Sequence, residues 1–245
     1  MPYRTAHQRG VTPQRRGRYA GFDVLDSVDA WDDVTAGVVL GRLAVPAELS
    51  FFTPSEVAIA APLLDLLLAQ DADPRVPVLA LIDARLCAGE TDGWHYDDLP
   101  EDGQAWRDTL RHLDEDARAL DHERGFAELD PCDQASLIQT VQDLTAHDER
   151  WHDLSATHVW SLWVRYACTA FYSHPWAWNE IGFPGPAYPR GYLNVGVNAR
   201  EHWERPDAGR EDSDADPVPF AHRVERARHE HRLVLDPHAD AGGPA

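Results

Sequence analysis

Residues Phe171 to Tyr192, FYSHPWAWNEIGFPGPAYPRGY, restrict the fold more than any other stretch of this chain. The segment carries seven aromatic residues (Phe171, Tyr172, Trp176, Trp178, Phe183, Tyr188 and Tyr192) and four prolines (Pro175, Pro184, Pro186 and Pro189). Proline fixes φ and removes an amide donor, so neither a long helix nor a central strand can pass through the segment. The residue before each proline is also pushed away from helical geometry. A stretch with so many breakers is ordinarily a polar loop. This one is oily, and its rings need cover from the chain's own helices or from a partner.

Apolar spacing around the segment points to helices. The strongest start is Phe51-Phe52-Thr53-Pro54-Ser55-Glu56, where Thr53 can cap, Pro54 fits the first turn and Glu56 completes a capping box. That helix is expected to reach about Gln70, bent or split at Pro62. Further helices are expected over Trp31–Leu43 (stripe Trp31, Val34, Val38, Val39, Leu43), Val78–Cys87, Gln104–His122 and Pro131–Ala146. The most apolar runs from Ser155 to about Tyr172, with Val159, Trp163, Ala167 and Phe171 on its stripe. Residues 88–103 read as a solvated loop. Leu193–Asn198 is the only strand-like alternation. The expected fold is all-α: a mostly helical, irregular, orthogonal bundle with a long Pro/aromatic-rich loop and flexible termini. Residues 1–20 would be a flexible arm, 21–205 the helical domain, and 206–245 an acidic linker and tail with one short amphipathic helix over Pro219–Leu235.

Charge narrows the partners. A formal net charge of −20 leaves no basic stripe to neutralise phosphates, which argues against nucleic acid and against an anionic membrane surface. No apolar run reaches membrane-spanning length. All 22 basic residues are arginine, so a Schiff-base lysine is excluded. Cys87, Cys132 and Cys168 show neither a disulfide framework nor zinc spacing, although an odd thiol could bridge to another chain. Arg15-Arg16 is followed by Phe22-Asp23-Val24-Leu25-Asp26 rather than by an apolar export stretch, so a cytoplasmic location is expected.

Catalytic signatures do not emerge. There is no HExxH, no GxGxxG after a strand and no GxSxG. His147 and His152 lie five apart, which a helix does not bring to one face, and His222, His229 and His231 fall in a charged segment. Trp94, His95, Tyr96, Asp97 and Asp98 cluster in one loop, but adjacent residues cannot all converge on a metal. No catalytic, cofactor-binding or metal-binding residue is therefore expected in this chain. The aromatic–proline segment remains, either folded over the chain's own core or facing another subunit, since interface cores favour Trp, Tyr, Phe and Arg.

Ala170-Phe171-Tyr172-Ser173-His174-Pro175, followed by Ile181-Gly182-Phe183-Pro184-Gly185-Pro186, resembles the gluconate 2-dehydrogenase subunit 3 family. The Phe51–Glu56 helix start is similar to that family's opening, and the likeness spans roughly residues 22–200. The resemblance implies a small all-α subunit, without cofactor and non-catalytic, that binds and stabilises an FAD-dependent sugar or alcohol dehydrogenase of the glucose-methanol-choline (GMC) class. FAD and the reacting groups would sit in that large subunit. Many relatives carry a twin-arginine leader, which is not read here. Many also show Gly-Gly-Asn before the second motif, of which only Asn179 carries over, after Trp176-Ala177-Trp178. The expected partner-binding residues are Phe171, Tyr172, Pro175, Trp176, Trp178, Asn179, Phe183, Pro184, Gly185, Pro186, Tyr188 and Arg190. The alternative is a stand-alone metal-dependent enzyme built on His and Asp.

Overall fold

The computed structural model describes residues 10–14, 19, 21–44, 48–120, 124–194 and 200–205. Those residues are mostly helical: α1 (Asp33–Gly41), α2 (Pro54–Leu68), α3 (Val78–Cys87), α4 (Asp102–Leu120), α5 (Pro131–Thr145), α6 (Ala156–Ser173) and α7 (Pro175–Ile181). Short 3-10 helices occupy Val24–Ala30 and Phe126–Glu128. The fold is all-α, as the apolar spacing requires. No helix among the described residues is long and apolar enough to cross a membrane.

Local chemistry explains the helix starts. Thr53 N donates to Glu56 Oε2 at 2.7 Å and Glu56 N to Thr53 Oγ1 at 3.3 Å, the reciprocal pair of a capping box. Asp130 caps α5 by accepting from Cys132 N and Asp133 N, with Pro131 in the first turn. Pro62 lies inside α2 without splitting it.

The described residues belong to two compact units. The first draws on described residues within 10–52, 64–90 and 164–205; the second on those within 53–63 and 91–163. In the first, Asp83 on α3 is buried and accepts the amides of Ser50, Phe51 and Phe52 at 2.7, 3.0 and 2.9 Å. Three donors satisfy a carboxylate that burial would otherwise penalise, and they fix the chain entering α2. Phe22, Val24, Trp31, Val39 and Trp178 form one core cluster of this unit. In the second, Trp106, Leu110, Leu113 and Ala117 of α4 are fully buried together with Phe126, Ile138, Val141, Val159 and Trp163. Trp163 Nε1 donates to Thr109 Oγ1 at 3.0 Å, which settles the indole's polar edge inside that core.

Several expectations need correction. Val34 and Val38, expected on the buried stripe of α1, are exposed, while Trp31 and Val39 are buried. The aromatic–proline segment is not loop throughout, because Pro175 starts α7 instead of only ending α6. Proline tolerates a first turn, and seven residues fit before the next breaker. Leu193 and Asn194 form no strand; the rest of that expected strand and the expected helix over Pro219–Leu235 lie outside the described residues. The strands are instead β1 (Arg150–Trp151) and β2 (Leu154–Ser155), antiparallel, with Trp151 opposite Leu154. His152 and Asp153 form the turn with φ of 47° and 64°, the left-handed geometry that a tight two-residue hairpin requires. Residues 88–103 are not wholly solvated either. Leu99 is buried, and Tyr96 stacks on His158 at 3.7 Å while Asp98 Oδ1 meets His158 Nδ1 at 2.6 Å.

Candidate functional site

The first unit holds the aromatic–proline segment on a frame of buried polar contacts. His174 caps α7, its Nδ1 accepting from Trp176 N at 3.2 Å. That ring is buried, and burial pulls its pKa down to about 4, because the charged imidazolium would lose its hydration. Asn179 is buried as well. Its Oδ1 accepts from Val24 N at 2.8 Å and its Nδ2 donates to the Val11 carbonyl at 3.0 Å. Glu180 Oε1 accepts from Gln14 N at 2.5 Å. One face of α7 is thus tied to residues more than 150 positions upstream.

The two glycines after α7 are both spatially required. Gly182 ends the helix at φ 68°, and an added Cβ would lie 2.6 Å from the Tyr19 ring. Gly185 has φ 80°, and its Cβ would lie 2.3 Å from Trp31 Cζ2. Trp31 Nε1 donates to the Pro186 carbonyl at 3.0 Å, and Arg190 donates to the carbonyls of Pro184 and Pro186 at 3.2 and 2.9 Å. Arg190 also lies over the Trp203 ring, 4.0 Å from its centroid. Trp178 Nε1 donates to the Tyr172 carbonyl at 2.7 Å and packs edge-on against Phe183.

This frame divides the twelve expected partner-binding residues. Phe171, Pro175, Trp178, Asn179, Pro184 and Gly185 are buried within the unit, and Trp176, Pro186 and Arg190 are half-buried. Tyr172, Phe183 and Tyr188 are exposed, at 44, 39 and 65 %. Ile181, which sequence reasoning left out, is equally exposed at 44 %. Its position on the outer side of a seven-residue helix could be read only once α7 was known. Among the described residues, Trp176 Nε1 and Glu180 Oε2, four apart on α7, have no hydrogen-bond partner.

The second unit contains a cluster that sequence spacing did not reveal. His112 and Glu115 on α4 and His152 on the hairpin turn offer ligand atoms that all lie within 4.8 Å of one another. His112 Nδ1 is 3.2 Å from Glu115 Oε2, and His152 Nδ1 is 3.8 Å from the same oxygen. Asp116 accepts from Trp151 Nε1 at 2.7 Å and meets His152 Nε2 at 2.6 Å. Burial holds the His112 imidazole below its ordinary range. The hydrogen bond from Arg111, first, and then that from His112 hold the Glu115 carboxyl low. His152 meets His112, 40 residues upstream, rather than His147. None of the three cysteines is in a disulfide, and burial pushes the Cys168 thiol up.

Together these features define an all-α protein that presents exposed rings on a proline-stiffened segment braced from within. A sequence model of the family described as Gluconate 2-dehydrogenase subunit 3 matches residues 54–185, over half of the chain. The chain belongs to that family. The match opens at Pro54, the first residue of α2, and closes at Gly185, so it includes α7 and both glycines after it. No curated protein and no solved structure matches the chain.

Proposed function

We propose that this chain is a non-catalytic accessory subunit that binds and stabilises an FAD-dependent dehydrogenase of the GMC class. Family membership carries the reading, since the family is described as a subunit of gluconate 2-dehydrogenase. The α7 segment supplies the physical means. Tyr172, Ile181, Phe183 and Tyr188 are exposed apolar side chains on a backbone already fixed by Asn179, Trp31 and Arg190. A preformed surface loses little conformational entropy on docking.

In this reading FAD and the reacting groups belong to the large subunit, and this chain acts by mass action. Binding only the folded partner stabilises it by about 2.7 kcal/mol at a hundredfold excess over Kd. The expected cytoplasmic location is part of the same proposal. Co-expression with a flavoprotein encoded alongside, followed by gel filtration, tests it. Co-elution with flavin absorbance supports the reading, and separate elution at moderate salt contradicts it. The alternative, a stand-alone metal-dependent enzyme, has one observation in its favour, the His112–Glu115–His152 group. Turnover by the lone metal-loaded chain would favour that alternative.

A further inference from the structure

We infer that His112, Glu115 and His152 form a binding site for one divalent transition-metal cation of the zinc type, which clamps the β1–β2 turn onto α4. The inference rests on the second unit alone and is independent of the proposed subunit role.

The donor set suits such a cation. Neutral imidazoles with one carboxylate are zinc ligands, and bonds of about 2.0–2.2 Å at tetrahedral angles place donor atoms about 3.3–3.6 Å apart. The observed separations from Glu115 Oε2, 3.2 Å to His112 Nδ1 and 3.8 Å to His152 Nδ1, straddle that range. The three donor atoms lie within 4.8 Å of one another, and the two rings now stack with centroids 4.3 Å and planes 28° apart. A cation lies in the plane of each imidazole that binds it, so binding turns the two rings out of the stack until their Nδ1 atoms converge with Glu115 Oε2.

The surrounding groups aim the donors. A carboxylate can only accept, so the 2.6 Å contact with Asp116 Oδ1 places the His152 proton on Nε2. The His152 lone pair is then on Nδ1, the atom nearer Glu115. A carboxylate behind a ligating histidine is the usual means of fixing its tautomer and raising its basicity. Asp116 itself is held by Trp151 Nε1. Arg111 Nη1 occupies Glu115 Oε1 at 2.8 Å, which leaves Oε2 for the imidazoles.

Metal binding also requires a change of tautomer at His112. Arg111 Nη2 lies 3.3 Å from His112 Nε2 and can only donate, so His112 now carries its proton on Nδ1, directed at Glu115. The cation takes that proton's position, and the metal-bound imidazole is protonated on Nε2. The Arg111 contact then breaks. Arg111 is more than half exposed, and Asp108 Oδ1 at 3.5 Å is ready to receive its Nη2. Solvent completes the fourth position.

The test is calorimetric titration of zinc(II), then cobalt(II), into the full chain and two variants. His152→Asn suits the turn, because asparagine tolerates left-handed φ. Glu115→Gln keeps the shape of an exposed side chain, and circular dichroism checks both folds. Histidines elsewhere contribute equally to all three proteins, so the difference between isotherms is the reading. The wild type is expected to show one saturable equivalent that each variant weakens at least ~10-fold. Bound cobalt should give the visible bands of four-coordinate geometry in the wild type alone. Asp116→Asn should weaken binding ~10- to 100-fold with the three ligands intact. Identical isotherms in the wild type and variants, or no saturable site in the wild type, would overturn the inference.

Discussion

Gly185 and Trp31 occupy one place. The indole lies where a Cβ on Gly185 would be, 2.3 Å from Cζ2, and its Nε1 holds the adjoining Pro186 carbonyl at 3.0 Å. Gly185→Ala must therefore accept both a left-handed φ and a displaced indole. Gly89→Ala provides the control, since Gly89 has φ 66° with nothing within 4 Å. The left-handed conformation alone costs roughly 1–2 kcal/mol. Chemical denaturation should show Gly185→Ala losing clearly more than Gly89→Ala; equal losses would mean that the Trp31 contact does not constrain the loop.

Asn179 makes a second prediction. Its side chain satisfies two backbone groups, Val24 N–H and the Val11 carbonyl. Asn179→Ala leaves both without their partner, and each buried orphan costs about 1–3 kcal/mol. Urea midpoints should fall by an amount corresponding to about 2–6 kcal/mol in total. A neutral substitution would show that solvent reaches these groups.

His174 gives a pH dependence whose sign follows from burial. Its folded pKa, about 4, lies below the ordinary 6.5, so the unfolded chain binds the proton more readily between those values. The contribution is fully present above about pH 6.5. It shrinks as pH falls through the window and levels off below about 4. The whole difference is on the order of 3 kcal/mol. His174→Asn can still cap α7 but does not titrate there, and should flatten this part of the stability–pH curve. An unchanged slope would assign the effect to other groups.

Much of the fold was legible because capping and apolar period act locally. Thr53-Pro54-Ser55-Glu56 and Asp130-Pro131 mark helix starts by chemistry contained within four residues. The face of α1 was not legible, because Val34 and Val38 satisfy a helical stripe that tertiary packing leaves exposed. The hairpin at Arg150–Ser155 was missed for lack of a glycine or asparagine, since His152 and Asp153 adopt left-handed geometry themselves. That omission also hid the meeting of His152 with His112. In the α7 segment, composition pointed to rings needing cover. Only three-dimensional packing could separate buried Trp178 from exposed Tyr188, because both follow the same proline-punctuated pattern.

The exposed residues carry the docking prediction. Tyr188→Ser removes apolar surface that the fold leaves open, so the lone chain should keep its helical content and its denaturation midpoint; Phe183→Ser also removes an edge-on contact with Trp178, so its helical content is checked before its binding is read. Truncating a central interface ring costs about 2 kcal/mol or more, roughly 30-fold in Kd. Surface plasmon resonance against the large subunit should show that loss in at least one of the two variants. Undiminished binding in both would move the interface away from the α7 segment.

The most direct measurement is the mass and flavin content of the species obtained when this chain is co-expressed with a flavoprotein of the GMC class, read by light scattering on a sizing column. The account predicts a single species containing both chains and FAD, which separates when Phe183 and Tyr188 are both changed to serine. A folded chain that elutes alone, free of flavin, beside an equally stable flavoprotein would contradict it.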